Sequence, residues 1–275
     1  PIGETWELSC LKDCPSTFNG ISLADLIGSD GLSYLVKFIQ TTDNLSIQVH
    51  PDNDFAMEHE KSLGKSECWV VLDAGPKSGV FLGLKNGVTQ EEFQQFLNEG
   101  KEVEKLLNFY PVSPGEFYFV PAKTIHAIGK DVFLLEVQQN CGLTYRVWDW
   151  NRVGLDGRPR ELHIKKALEV IDFSSEGNQE KNLKIQKDIF THKEKTQICS
   201  HNDFSVSILK MKKNESLVLN MLNKKRHVSL ISIGGSFEIK RRKDVETLKA
   251  YHAMLCPSIF SQEIEVTCSN DKGII

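Results

Sequence analysis

The sequence predicts a mainly β protein, two barrels or sandwiches of jelly-roll kind with a few flanking helices, and three observations predict it. Short runs rich in Val, Ile, Phe and Tyr recur about every 8–15 residues, separated by Gly, Pro, Asn and Asp. Helical periodicity is confined to two segments. Neither GxGxxG nor GxxxxGKS/T occurs, so nothing argues for a parallel sheet with a phosphate-cradling loop.

In chain order, residues 34–40 (YLVKFIQ), 45–50 (LSIQVH), 67–74 (ECWVVLDA), 78–84 (SGVFLGL), 116–122 (EFYFVPA) and 132–139 (VFLLEVQQ) read as strands. Residues 204–211, 215–222, 228–233 and 263–268 do so in the second half, many with antiparallel-style alternation. The first helix follows Thr89 as N-cap, with Glu91 and Glu92 in its first turn, Phe93, Phe96 and Leu97 as its apolar stripe and Gly100 as its stop. The second covers 161–171, where Ile164, Ala167, Leu168 and Ile171 alternate with charged positions. The polar run 174–182 reads as a linker and divides the chain into a domain of residues 1–172 and a second of residues 173–275. Both are β-rich, without an obvious sequence repeat.

At 275 residues, 40% hydrophobic and 25% charged, the chain is long enough to bury a core and is not disordered, collagenous or coiled-coil. No stretch approaches the roughly eighteen apolar residues of a membrane span, so no membrane partner is expected. The start, PIGETWELSC, carries no basic or apolar targeting signal and no initiator Met, which predicts a trimmed or fragmentary N-terminus. Seven cysteines, an odd number with no CxxC pair, fit reduced thiols in a cytoplasmic protein better than a secreted disulfide framework. Residues 1–172 hold 16 Lys and Arg against 25 Asp and Glu, a net −9, and residues 173–275 hold 17 against 12, a net +5. The basic clusters Lys224-Lys225-Arg226 and Lys240-Arg241-Arg242-Lys243 lack interleaved aromatics and read as solvated loops, so no nucleic-acid partner is expected.

Four residues qualify as metal ligands. Gln48 and His50 stand two apart on one strand and leave the same face; Lys65 and Glu67 do likewise. His126 follows a strand and turn punctuated by Gly115 and Pro121. Two imidazoles, a carboxylate and an amide oxygen suit a borderline divalent ion such as Zn²⁺, and the absence of thiolate suits a catalytic site better than a structural one. Taken singly, each has a commoner structural role. His59, His163, His192, His201, His227 and His252 have no second ligand at a telling spacing. Tyr145, Val147, Trp148 and Trp150 read as a core or interface strand, with sugar stacking the alternative.

The segment GEFYFVPAKTIHAIG fits the second cupin motif at Gly115, Pro121 and His126, and departs from it with Lys123 and Lys130 where that motif has Gly and Asn. The series SIQVHP, GKSECW, VPAKTIHAIG, LLEVQQN, TYR and REL, in this order and spacing, resembles the type I phosphomannose isomerases of the short bacterial kind over residues 1–172. The rest resembles only a generic second cupin. The resemblance implies two cupin-like barrels, the first binding one zinc and the second without a ligand set. It implies Gln48, His50, Glu67 and His126 as zinc ligands, and Lys65, Arg146 and Glu136 as active-site groups. Ser46, Lys65, Lys123 and Arg146 are the candidates for holding the sugar phosphate, with Arg160 a further available cation. Relatives commonly carry an Asp, implicated in ring opening, where this chain has Gly142, and they begin some tens of residues earlier.

The implied reaction interconverts D-mannose 6-phosphate and D-fructose 6-phosphate through a cis-enediol(ate), which needs a proton acceptor beside the reacting carbons and an electrophile for the oxyanion. Lys65 relays protons in this scheme if the metal and burial lower its pKa. The alternatives are a binding module impaired by Gly142, or another metal-dependent cupin enzyme. Monomer and homodimer both remain compatible with the sequence.

Overall fold

A computed structural model of the chain describes residues 2–28, 31–154, 157–192, 195–220, 227–257 and 263–275. It is mainly β with few, short helices, as the composition of the strand-like runs requires. Two five-stranded sheets dominate. One has the order Ile2–Leu8, Tyr34–Thr41, Val132–Gln139, Glu67–Ala74, Phe117–Val120; the other runs Tyr145–Trp148, Ile47–Val49, His126–Ile128, Gly79–Leu84, Leu107–Pro111.

Alternation along these strands decides what each face does. Ile47, Val49, Ile125, Ala127, Tyr145 and Val147 leave one face of the second sheet and form a core with Phe93, Ala167 and Val170 of two flanking helices. On the opposite face Val80, Leu82 and Ile128 pack with Trp69, Val71, Tyr118 and Leu134 of the first sheet. Trp69 and Tyr118 are among the largest fully buried side chains, and burying each large apolar group contributes about 1.5–3 kcal/mol.

The first helix forms as expected: it spans Gln90–Asn98, the Thr89 hydroxyl accepts from the Glu92 amide, and Phe93 is buried. The second is Ile164–Val170, shorter than residues 161–171, because the Glu161 carbonyl and the His163 amide bond Arg146 instead of joining a helical turn. A third, Asn53–Glu60, is capped by Asp52 and buries only Ala56, so it leaves no apolar periodicity to detect. The polar run 174–182 is not a free linker. Asn178 accepts from the Leu84 amide and donates to the Asp172 and Ser174 carbonyls, and the helix Glu180–Leu183 buries Leu183 completely. Residues 204–211 form two strands, Ser205–Ile208 and Lys210–Lys212, which pair with different partners.

The chain divides into two compact units, one of residues 1–5 and 39–187, the other of residues 6–38 and 188–275. The second unit is built on a four-stranded sheet, Ser216–Asn220, Glu263–Cys268, Phe237–Arg241, Asp244–Leu248, over a core of Phe237, Ile239, Leu248, Val266 and Cys268. Its basic run 240–243 is only half loop: Lys240 and Arg241 end the strand Phe237–Arg241, 3.5 Å from Glu265 and 3.9 Å from Asp244 respectively, and Arg242 and Lys243 make the hairpin turn. The cluster Lys224-Lys225-Arg226 and residues 221–222 of the strand expected over 215–222 lie outside the described residues. All seven cysteines are free thiols, and no described helix is long and apolar enough to cross a membrane.

Candidate metal centre

Antiparallel pairing places Gln48 opposite both His126 and Arg146, so one row of the second sheet carries Arg146, Gln48 and His126 on the face turned to the first sheet. In the first sheet Glu67 lies opposite Gln138 and Trp69 opposite Glu136. His50, Glu67 and His126 converge between these rows, with ligand atoms within 4.8 Å of one another and every side chain buried. Trp69 and His126 meet in a T-shaped contact with 5.6 Å between ring centroids.

The imidazoles are oriented by their far nitrogens. His50 Nδ1 lies 2.8 Å from the Leu143 carbonyl and His126 Nδ1 2.8 Å from the Thr124 carbonyl. A carbonyl only accepts, so each Nδ1 carries the proton and each Nε2 presents a lone pair to Glu67, at 3.4 and 3.3 Å. Burial, and then Lys65, push His50 down to about 3, so it is neutral at ordinary pH; burial likewise lowers His126. For Glu67 burial alone acts upward, but the Lys65 ammonium 2.8 Å away holds its carboxyl well below the usual range.

Two neutral imidazole lone pairs facing one ionised carboxylate are a donor set for a borderline divalent cation. The Glu67 oxygens carry the test of that fit. Both are buried, and neither accepts a well-aligned hydrogen bond despite the short approach of Lys65. The Lys65 ammonium offsets part of the cost of burying that charge, and a cation between the three residues would offset more of it. The Gln48 amide approaches His126 Nε2 through its own Nε2, at 3.4 Å, while its Oε1 accepts from the Ser46 hydroxyl.

Lys65 is buried, with Nζ 3.2 Å from His50 Nε2. Burial pulls its pKa down, yet Glu67 and then Glu136 outweigh that and leave it raised, so Lys65 stands as an ammonium paired with Glu67. Glu136 is buried and accepts from the Trp69 indole at 3.1 Å. Arg146 donates from Nη1 to the Glu161 carbonyl while its buried Nε has no hydrogen-bond partner; burial, and then Arg160, lower its pKa. Lys123 lies in an exposed ion pair with Asp52 at 3.1 Å, and its φ of 73° explains why the motif elsewhere has glycine there. Arg160 is held against Asp149, which also takes Arg152 at 2.6 Å. Tyr145 and Val147 are core, and Trp150 donates to the Leu45 carbonyl, so these aromatics pack.

Sequence reasoning passed over Gln138 and His163. Gln138 is fully buried opposite Glu67, donates to the Gln139 and Cys141 carbonyls, and has an unsatisfied Oε1. Its two-residue spacing from Glu136 was the available signal. His163 lies in an irregular segment whose role depends on Arg146, and no spacing announces it.

The fold and the cluster define a class: a mainly β protein with a buried His–Glu–His set fit for a divalent metal ion and cations placed nearby. Comparison with known proteins narrows it. No family model matches the chain. It is 36% identical over 189 residues, 63% of its length, to the mannose-6-phosphate isomerase ManA of Bacillus subtilis, and 36% identical over 191 residues to the mannose-6-phosphate isomerase of Streptococcus mutans. The matched stretch spans 59% and 60% of those relatives, so the chain spans about three-fifths of their length. The crystal structure of the mannose 6-phosphate isomerase from Bacillus subtilis superposes with a TM-score of 0.76 over 99% of this chain and 88% of that one, at 24% identity. A mutant of phosphomannose isomerase from Salmonella typhimurium gives 0.69 over 98% of this chain and 89% of that one, at 16% identity. The chain is therefore related in sequence to proteins named mannose-6-phosphate isomerase and shares their fold.

Proposed function

We propose that this chain is a zinc-dependent aldose–ketose isomerase that interconverts D-mannose 6-phosphate and D-fructose 6-phosphate in the cytoplasm. The observation that carries the reading is the buried His50–Glu67–His126 cluster, with ligand atoms within 4.8 Å of one another, in a chain related to proteins named for that reaction. The first unit holds the catalytic machinery; among its described residues the second holds no comparable cluster of metal-ligating side chains.

His50, Glu67, His126 and Gln48 would hold the ion. When bound, it supplies Lewis-acid polarisation of the sugar oxygens. In the forward direction the C2 proton leaves as the C1–C2 double bond forms and O1 takes up a proton; a proton is then returned to C1 while the O2 hydroxyl gives up its own and becomes the ketone. Lys65, held as an ammonium, donates to the oxygen that gains charge. Glu136 is the carboxylate assigned to proton handling, kept in place by the Trp69 indole. Arg146 offers its unpartnered Nε to the enediolate or the phosphate, and Ser46, beside Gln48, contributes a hydroxyl to the phosphate end. Lys123 would reach the substrate only by leaving Asp52.

One observation favours a second reading. The turn after Gln139 carries Gly142 where a ring-opening carboxylate would stand, which suits a protein that binds the sugar phosphate without converting it. A coupled assay of fructose 6-phosphate formation, with zinc and with a chelator, separates the two. Chelator-sensitive turnover establishes the isomerase. One zinc per chain, no turnover, and a thermal midpoint raised by mannose 6-phosphate establish the binding module.

A further inference from the structure

We infer that His163 is a positioning residue for Arg146, clamping that residue's backbone so that its guanidinium faces the metal row. The inference rests on the isomerase reading only in assigning Arg146 to the substrate.

Arg146 lies on Tyr145–Trp148, the edge strand of its sheet, and the pairing with Ile47–Val49 becomes irregular immediately after it. An edge residue at such an irregularity has an open side, where its N–H and C=O look for partners and its side-chain direction is poorly fixed. One residue closes that side. The Arg146 amide donates to His163 Nδ1 at 3.1 Å, and the His163 amide donates to the Arg146 carbonyl at 2.7 Å. Two residues earlier in the same segment, the Glu161 carbonyl accepts from Arg146 Nη1 at 2.9 Å. Backbone and guanidinium are thus held by one short stretch, and the side of the guanidinium left unsatisfied is the buried Nε.

His163 does this in place of an ordinary local duty. It is the N-cap of the helix Ile164–Val170, a position where Ser, Thr, Asn or Asp normally accepts from the first turn. Its side chain makes no capping bond there, and its one acceptor nitrogen is turned to Arg146. That bond places the ring proton on Nε2. The helix is itself registered against the sheet: Ala167 and Val170 are buried with Tyr145 and Val147, and Lys166 and the Tyr145 hydroxyl share Glu60 Oε1 at 2.6 and 2.7 Å. The clamp is therefore anchored to the core one residue away from Arg146. A local rule broken at a helix start, beside a residue with a free buried donor, is the pattern of a site in which position is selected over capping.

The test uses the metal-loaded full chain and the substitutions His163→Phe, which keeps a ring without an acceptor, and His163→Asn, whose Oδ1 stands near the Nδ1 position. The expected result is a fall in kcat/KM for mannose 6-phosphate of about 10- to 100-fold in His163→Phe, the scale of a misplaced contact. Metal content stays at the wild-type level, and His163→Asn recovers most of the loss. In an Arg146→Ala background His163→Phe adds nothing further, because residues acting as a unit are non-additive. Full activity in His163→Phe overturns the inference. So does an equal loss in both His163 variants, or an undiminished loss in the Arg146→Ala background. If the wild type binds but does not convert mannose 6-phosphate, the isomerase reading fails alone, and calorimetric affinity for that sugar replaces kcat/KM: weakening in His163→Phe, rescue by Asn and no added effect on Arg146→Ala sustain the clamp. A wild type that neither binds nor converts overturns both.

Discussion

The two compact units are built from the same material and bury different things. The second encloses Phe237, Ile239, Leu248, Val266 and Cys268 in a core of ordinary kind, and among its described residues the buried polar side chains are Ser9, Lys37 and Ser232. The first encloses His50, Lys65, Glu67, His126, Glu136 and Gln138 close to one another, with Asp149 buried nearby in sequence to Arg152 and Arg160. Burying ionisable groups is expensive, and a fold keeps such a cluster where the groups do something that apolar packing cannot. The comparison teaches where to look for chemistry: net charge marks the first half as acidic, yet its buried charges, and not its surface excess, mark the site.

The largest effect that sharpens this contrast is expected at Glu67. Glu67→Ala removes the carboxylate that pairs with the Lys65 ammonium and lies against both imidazoles, so metal binding and turnover are lost together. The metal-free protein loses about 3–5 kcal/mol by chemical denaturation, as for other broken buried pairs. Metal analysis and denaturation of one sample check both parts, and retained zinc with full turnover breaks the ligand assignment. Phe237→Ala in the second unit is expected to cost a similar amount, about 3–5 kcal/mol, by opening a cavity at a fully buried site, while zinc stoichiometry at low temperature is unchanged. Loss of zinc from that folded variant would erase the distinction between the units.

A smaller effect concerns pH. Burial raises the Asp149 carboxyl, but hydrogen bonds from Arg160 and Arg152 outweigh it and leave the folded pKa depressed. A depressed carboxylate contributes stability that is fully present above its unfolded value, near 3.9, and is lost as pH falls through the folded one. Asp149→Asn is therefore expected to flatten the acid limb of a stability–pH curve below about pH 4, and an unchanged limb sinks the assignment. The smallest effect is at Lys123, which holds a φ of 73°; Lys123→Gly relieves backbone strain against the added freedom of the unfolded chain, and the thermal midpoint is expected to shift by the equivalent of about 1 kcal/mol or less.

The strands of the first unit were legible because period-two alternation and β-branched or aromatic content coincide there, so 67–74 and 132–139 match the structure end to end. Asn53–Glu60 was not legible, because a helix that buries one alanine leaves no apolar stripe. The run 174–182 looked like a linker because its ordering comes from Asn178 reaching back to Leu84, a contact 94 residues away in sequence.

By itself the sequence determined the mainly β class, the shared faces of Gln48 with His50 and of Lys65 with Glu67, and the motif series that points to His126 and Arg146, because pleat and spacing are local properties of the chain. Only the tertiary structure decided the rest. It set His126 opposite Gln48, left the Glu67 oxygens unsatisfied, and raised the Lys65 pKa where burial alone would have lowered it. It also turned His163 from its helix to Arg146. The physical reason is common to all four: charge, burial and hydrogen-bond partners at a site are sums over groups from distant parts of the chain, and no local pattern carries such a sum.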